Sequence, residues 1–202
     1  MTPQQNMITD SFNSQVYSPN TMDVQNTPLY DTVTIPATTG GITGQLNVST
    51  SALFSNVGPQ SGKTLALTNL TQAQKLAAPE AFSIFGFRFR TSENLSILDI
   101  YNIYNGFCLE FYLGQKVYQR GPLWYYGAGG GIAGFFTLSQ TSVFTNGVAG
   151  RSDMHKLGIS VVIENQMTFY AQLNGTQYTL LANGTGITYQ LVLDGLYARG
   201  VQ

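Results

Sequence analysis

The sequence predicts an all-β protein, an antiparallel β-sandwich with two short helices and an extended N-terminal arm. Many short segments alternate apolar and polar residues, as strands do when one of their faces is buried. Two-residue turn signals of the hairpin type separate several of them, namely Asn174-Gly175, Asn183-Gly184 and Asp194-Gly195. Regular turns between short strands are typical of sandwiches and barrels.

The composition is poor in charge. Charged residues make up 9% of the 202 residues and hydrophobic residues 43%, whereas about a quarter of a typical domain is charged. Much of the surface must therefore be neutral, which suits burial against neighbours. The formal net charge is −1 and no Lys or Arg precedes Lys63, so we expect no direct nucleic-acid binding and no secretory signal. No apolar run has the roughly twenty residues of a transmembrane segment, and we expect a soluble protein made in a cytoplasm.

Residues Met1–Pro28 are predicted to form the arm. They are rich in Gln, Asn, Ser, Thr and Met and lack a sustained hydrophobic period, so they cannot offset their chain entropy by themselves. The scattered apolar side chains, including Phe12 and Tyr17, make the arm a candidate strap over a neighbouring copy; a loose terminus fits the same composition. Residues Leu29–Gln202 are predicted to form a single domain.

Two strands have the clearest alternation. Ala81–Arg90 is expected to bury Phe85, Phe87 and Phe89 on one face. A strand in the last third is expected to bury Leu157, Ile159, Val161 and Ile163. The segments that follow it also have the pattern of strands: Met167–Leu173, Thr176–Leu181, Ile187–Leu193 and Leu196–Val201.

Two segments favour helices. Thr71–Ala78 contains residues of high helix propensity and ends before Pro79. Asn94–Tyr104 has apolar residues at roughly helical spacing, namely Leu95, Leu98, Ile100, Tyr101 and Tyr104.

The stretch Phe107–Phe136 combines a hairpin, an aromatic run and a glycine run. Leu109, Phe111 and Leu113 share one face of its first strand, while Glu110 and Tyr112 point the other way. A turn at Gly114-Gln115 starts the return strand, and Pro122 bends the chain before the aromatic run. The run Gly127–Gly131 follows, and glycines allow positive φ and the close approach of another chain.

Two glycine motifs resemble cofactor loops, but neither has the right context. Gly58–Thr64 resembles a phosphate loop with three residues between its glycines where four are required, and no long helix follows it. Gly129, Gly131 and Gly134 match the dinucleotide spacing, yet the residues after them favour a strand. We therefore expect no cofactor.

The residue types that catalyse reactions are sparse. Cys108 is the single cysteine and His155 the single histidine, so no disulfide, no histidine pair and no metal-ligand spacing is present. Glu110 and Glu164 lie on predicted strands, and a glycosidase pair stays open, although the solvent or an interface is the simpler environment for each. We predict that the protein is not an enzyme and assign no catalytic and no metal-binding residue.

The aromatic run fits two kinds of surface. Trp124, Tyr125 and Tyr126 could stack on a sugar ring or anchor a protein interface. The adjacent glycines and the scarcity of charge favour the interface. The candidate contact residues are Trp124, Tyr125, Tyr126, Gly127, Gly129, Gly130, Gly131, Phe12 and Tyr17.

Two fragments, CLEFYLGQKVYQRGPLWYYGAGGG and LVLDGLYARGVQ, resemble structural proteins of bacterial viruses. The resemblance implies a jelly-roll subunit in the virion, contacting further copies of itself in an icosahedral shell and other virion proteins. One departure is the arm, which is uncharged or acidic, whereas many shell proteins that touch the genome use a basic one. This departure leaves room for contact with an internal membrane, another protein layer or a decoration role.

These observations lead to a self-assembling capsid subunit of a bacterial virus as the expected function. A minor capsid or decoration protein is a close variant of this expectation. The alternative from another class is a carbohydrate-binding β-sandwich, lectin-like or receptor-binding, that would use the aromatic cluster around Trp124.

Overall fold

The computed structural model describes residues 8–9, 16–17, 22–36, 45–46, 50–91, 97–126, 155–175, 178–180 and 186–200. Within these residues the chain forms strands, one α-helix and two short 3-10 helices at Pro59–Ser61 and Leu123–Tyr125. The elements are β1 (Ile8–Thr9), β2 (Val16–Tyr17), β3 (Met22–Gln25), β4 (Leu29–Pro36), β5 (Gln45–Leu46), β6 (Thr50–Leu53), β7 (Ala81–Thr91), α1 (Ile97–Gly106), β8 (Phe107–Leu113), β9 (Lys116–Pro122), β10 (His155–Ile163), β11 (Phe169–Gly175), β12 (Tyr178–Thr179) and β13 (Gly186–Gly200).

The strands form two larger sheets and two small pairs. One larger sheet has the order β10-β7-β13, and two strands pair with the other edge of β13. The strand β4 pairs with the first half of β13, and β3 pairs with its C-terminal end. The other has the order β6-β11-β8-β9. The small pairs are β1-β2 and β5-β12. All described strand pairings are antiparallel, which confirms the predicted all-β class.

The core lies between the inner faces of the two larger sheets. The rings of Phe87 in the five-stranded sheet and Phe111 in the four-stranded sheet meet edge to face at 5.4 Å between centroids. Burying each large apolar side chain contributes about 1.5–3 kcal/mol, so the alternation of apolar residues along each strand holds the two sheets together. The largest fully buried side chains are Tyr126, Tyr189, Phe54, Phe82, Phe87, Phe89, Phe111, Phe169, Leu29, Ile35 and Leu53.

One predicted helix is confirmed and the other is wrong. The prediction for Asn94–Tyr104 corresponds to α1, which begins at Ile97 and ends at Gly106. Thr71–Ala78 forms a turn instead, in which Gln74 has a φ of 59°. The Gln74 N–H donates to the carbonyl of Phe54 and its carbonyl accepts from Phe169, so contacts with distant strands override the local helix propensity.

The predicted hairpin turn at Asp194-Gly195 is wrong, because β13 runs unbroken from Gly186 to Gly200 and these two residues lie opposite a bulge in β7. Bulges in β7 and β10 change which side chains are buried. In β7, Gly86 lies opposite Asp194 and Ile84 opposite Gly195, so β7 contains one more residue than β13 at this point, Phe85. Phe85 therefore does not share the buried face of Phe87 and Phe89, as the alternation predicted; Phe82 and Ile84 occupy that face beyond the bulge.

The larger irregularity is in β10. Five steps of β10, from Lys156 to Val161, span two steps of β7, from Gly86 to Ile84. Ile159 lies inside this irregularity and is 84% exposed, so the prediction that it shares a buried face with Val161 and Ile163 is wrong.

The predicted arm contains β1, β2 and β3. Its β1 and β2 pair with each other, and Met22–Gln25 pairs with Tyr197–Gly200 of β13. The last part of the segment Met1–Pro28 is therefore integrated into the five-stranded sheet.

Candidate functional site

One end of the molecule gathers α1, the 3-10 helix Leu123–Tyr125 and the β5-β12 pair, and we call it the helix end. The helix α1 runs directly into β8, and the 3-10 helix directly follows β9. Because Cys108 of β8 lies opposite Pro122 of β9, the two helical segments emerge side by side. The β5-β12 pair joins them through Tyr178, whose hydroxyl donates to Oδ1 of Asp99 at 2.8 Å.

Three exposed aromatic side chains lie on the helix end. Trp124 is 62% exposed, Tyr125 47% and Tyr101 64%. The rings of Trp124 and Tyr125 meet edge to face at 6.2 Å between centroids. Large exposed rings of this kind are characteristic of protein interfaces, where Tyr and Trp supply rigid contact area.

The rings next to them connect this surface to the core. The ring of Tyr126 contacts that of Tyr125 at 5.6 Å and that of Phe87 at 6.1 Å. Tyr126 is 1% exposed, and burial raises its pKa to about 12. The 3-10 helix causes the difference, because its tight turn directs Leu123 and Tyr126 inward and the two residues between them outward.

The structure thus separates the predicted contact residues. Trp124 and Tyr125 lie together on the surface, whereas Tyr126 belongs to the core of its own chain. Tyr17 lies in β2, and the remaining predicted contacts lie outside the described residues, namely Gly127, Gly129, Gly130, Gly131 and Phe12.

Tyr101 was not predicted to be a surface residue. The predicted apolar stripe of α1 included it, but Ile100, Ile103 and Tyr104 form the face that packs on the core. Positions 100, 103 and 104 follow the helical i, i+3, i+4 pattern. Because Tyr101 lies three residues before Tyr104, spacing alone could not place it outside.

The phosphate-loop motif has a structural explanation. Nζ of Lys63 lies 2.7 Å from Oδ1 of Asp31, which is fully buried. The glycines Gly58 and Gly62 flank the three-residue 3-10 helix Pro59–Ser61 rather than opening a long helix. The lysine that would bind phosphate therefore forms an ion pair with a strand of the five-stranded sheet.

The two predicted carboxylate candidates have different environments. Glu110 lies on the outer face of β8, where the hydroxyl of Tyr112 donates to Oε2 at 2.7 Å and Nε of Arg120 lies 2.6 Å from Oε1. These partners hold the pKa of Glu110 below its ordinary value. Glu164 is exposed in the turn after β10. A glycosidase acid requires a raised pKa, and Glu110 has the opposite environment.

The described residues contain no cluster of metal ligands and no membrane-spanning helix. No group of three or more His, Cys, Asp or Glu side chains within them is arranged to hold a metal ion. Cys108 is half-buried, with its Sγ 3.7 Å from the carbonyl of Leu109. The α-helix in this part of the chain has neither the length nor the apolarity to cross a bilayer.

Comparison of the chain with family models, with curated proteins and with solved structures found no match.

Proposed function

We propose that this protein is a structural virion protein, a jelly-roll capsid subunit of a bacterial virus that assembles with copies of itself. The strand order is the observation that carries the proposal. We count β3 and β4 together as strand one. The strands of the two larger sheets are then, in chain order, β3/β4, β6, β7, β8, β9, β10, β11 and β13. The five-stranded sheet then has the order 1-8-3-6 and the four-stranded sheet 2-7-4-5.

This order supports a jelly roll. In that fold a long hairpin of paired strands is wrapped so that successive pairs lie in alternate sheets. The pairs one with eight, two with seven, and four with five are neighbours in the observed sheets, as such wrapping requires. Jelly rolls form the shells of many viruses, and they also occur in lectins. Fold alone does not establish function, so surface chemistry has to distinguish the two classes.

The helix end supports contact between copies. Its exposed rings of Tyr101, Trp124 and Tyr125 have the composition of an interface core, and the chain as a whole carries only 9% charged residues. A standard interface buries about 1,600 Å² in total, and closed repetition makes modest individual contacts sufficient. In this proposal the partners are other copies and further virion proteins, and the site of action is the virion.

Assembly of the purified full-length chain tests the proposal. Size-exclusion chromatography with light scattering and electron microscopy should show closed particles or discrete oligomers that grow with concentration. Trp124→Ala combined with Tyr101→Ala should shift the distribution toward monomers, because hot-spot rings contribute most to an interface. Leu65→Ala is the matched control: Leu65 is 75% exposed and lies outside the helix end.

Two results would contradict this proposal. One is a wild-type chain that stays monomeric at every concentration, and the other is an equal loss of assembly in the Leu65→Ala control.

The predicted arm is tested by deleting Met1–Thr21, which spares β3 and therefore the edge of the five-stranded sheet. Unchanged assembly after this deletion would show that the arm is not a strap.

A further inference from the structure

The outer face of the four-stranded sheet has polar and aromatic side chains arranged in rows across neighbouring strands. In the register of the sheet, Tyr170 lies opposite Tyr112, and Gln172 lies opposite Glu110. On the next strand, Arg120 lies opposite Glu110. We call these five residues, together with Asn174, the tyrosine face.

The two tyrosine rings are stacked on each other. Their centroids are 4.7 Å apart and their planes differ by 5°. This separation equals the usual distance of about 4.8 Å between strands, so the rings stand side by side on the sheet. The neighbouring strand β6 ends at Leu53, opposite Ala171, so no residue of that strand lies beside the far face of the Tyr170 ring.

A charged network holds the polar side chains in place. Glu110 accepts a hydrogen bond from the hydroxyl of Tyr112 at 2.7 Å and pairs with Nε of Arg120 at 2.6 Å. The amide of Asn174 also hydrogen-bonds to it. The Glu110 side chain is 13% exposed and that of Arg120 62%, so much of the Arg120 side chain is accessible to a ligand.

The face is lower on the side of β6. Ala52 lies opposite Gln172 on the same row and is exposed, and its side chain is only a methyl group. The Tyr170 ring and the Gln172 amide are on the strand next to this methyl group, and the Glu110–Arg120 pair lies on the two strands beyond them. The face thus presents aromatic rings and polar side chains next to each other.

We propose that the tyrosine face binds a neutral oligosaccharide. The apolar C–H face of a pyranose ring packs on aromatic rings, and its hydroxyls both donate to and accept from carboxylate, guanidinium and amide groups. Glu110 and Arg120 cancel each other's charge, so an anionic sugar would find no excess positive charge here. This site is separate from the helix end and does not depend on the proposed shell function.

The same chemistry argues against a second protein surface as the occupant. A covering protein would have to remove water from the Glu110–Arg120 pair, which costs several kcal/mol per ion unless new partners replace it. Glu is accordingly depleted in protein interfaces. Sugar hydroxyls replace those waters directly and leave the rim wet.

The test is saturation-transfer NMR and calorimetry on the full-length chain with cellohexaose, maltohexaose, mannohexaose and chitohexaose, and with hexagalacturonate as the anionic comparison. At least one neutral hexasaccharide should bind, with transfer from tyrosine protons. Tyr170→Ala and Gln172→Ala should each weaken binding by about tenfold or more, whereas Tyr170→Phe should retain it because the ring is kept.

Trp124→Ala is the matched control, because Trp124 is exposed on the helix end and not on the tyrosine face. Binding that survives Trp124→Ala and fails in Tyr170→Ala supports the assignment. The assignment is overturned if none of the four neutral sugars binds, if hexagalacturonate binds best, or if Trp124→Ala abolishes binding while Tyr170→Ala does not. Circular dichroism of each variant separates loss of binding from loss of fold, and Gln172→Ala keeps the test valid if Tyr170→Ala does not fold.

Discussion

Glu110 shows how a single residue couples the outer face of the sheet to solution conditions. The hydrogen bond from Tyr112 and the charge of Arg120 outweigh its partial burial and hold its pKa below the ordinary value. A carboxylate whose pKa is lower in the folded state adds stability above its unfolded pKa. That contribution is lost as the pH falls through the folded value.

We therefore predict that Glu110→Gln lowers the free energy of unfolding at pH 7 by about 1.5–3 kcal/mol, the range for a hydrogen bond to a charged group. Below the folded pKa of Glu110 the variant and the wild type should have nearly equal stability, because both side chains are then neutral. Urea unfolding at neutral and acidic pH measures this difference. A deficit of the same size at both pH values would show that the loss is one of packing rather than of charge.

Individual residues also mark the limit of what the sequence could predict. Alternation placed the side chains of β8 correctly, with Leu109 and Phe111 inward and Glu110 outward. It failed at Phe85 and Ile159, because a bulge inverts the alternation and depends on the partner strand. Local pattern contains no information about such partners.

The same reasoning applies to the two surfaces of interest. Composition identified Trp124 and Tyr125 as exposed aromatics, but it could not separate them from Tyr126, which the 3-10 helix turns into the core. For the tyrosine face, the sequence indicated that Glu110 and Tyr112 point outward. Tyr170 joins them only through the pairing of β11 with β8, which no local signal specifies.

At the scale of elements, the long connection between β6 and β7 is anchored to β4. Asp31 in β4 is fully buried and accepts from Nζ of Lys63 and from the backbone N–H of Phe54, each at 2.7 Å. Further along, Asn69 hydrogen-bonds to the backbone of Tyr30 at the edge of β4. The connection thereby occupies donors and acceptors that an edge strand would otherwise leave open.

We predict that Asp31→Ala lowers the free energy of unfolding by about 3–5 kcal/mol, because it leaves the Lys63 charge and the Phe54 N–H without a partner. The double variant Asp31→Leu/Lys63→Met should lose less stability than the sum of the losses in Asp31→Leu and in Lys63→Met, since it removes both charges together. Urea unfolding of the wild type, these two single variants and the double variant completes the cycle. Additive costs would mean that the ion pair does not couple the connection to β4.

At the scale of the whole molecule, four edge strands of the two larger sheets have a feature that opposes strand addition. The edge at β4 is covered by the connection containing Asn69, and β6 has only four residues. The edge strand β10 carries the bulge around Ile159. In β9, Phe111 pairs with Gln119 and Tyr112 with Val117, so Tyr118 is an extra residue that bends the strand.

These features favour contacts between copies through ends and side chains rather than through continuous sheets. Short, bulged or covered edges are the usual protection against uncontrolled pairing of strands. A shell subunit needs this protection more than most proteins, because many copies meet at high local concentration. In the proposed shell, the exposed rings of the helix end would then determine the geometry of association without competition from strand edges.

We predict that straightening β9 causes the protein to aggregate. Deleting Tyr118 removes the bulge, and Lys116→Thr in the same chain removes a charge at the start of the exposed edge. The double change should produce irregular aggregates that bind thioflavin T and scatter light, whereas Lys116→Thr alone should behave as the wild type, because the bulge still bends the edge away. The opposite outcome is a straightened chain that stays as soluble, and forms oligomers as regular, as the single variant. It would show that the bulge does not protect this edge. Contacts between copies through β9 would then be the better explanation of any assembly.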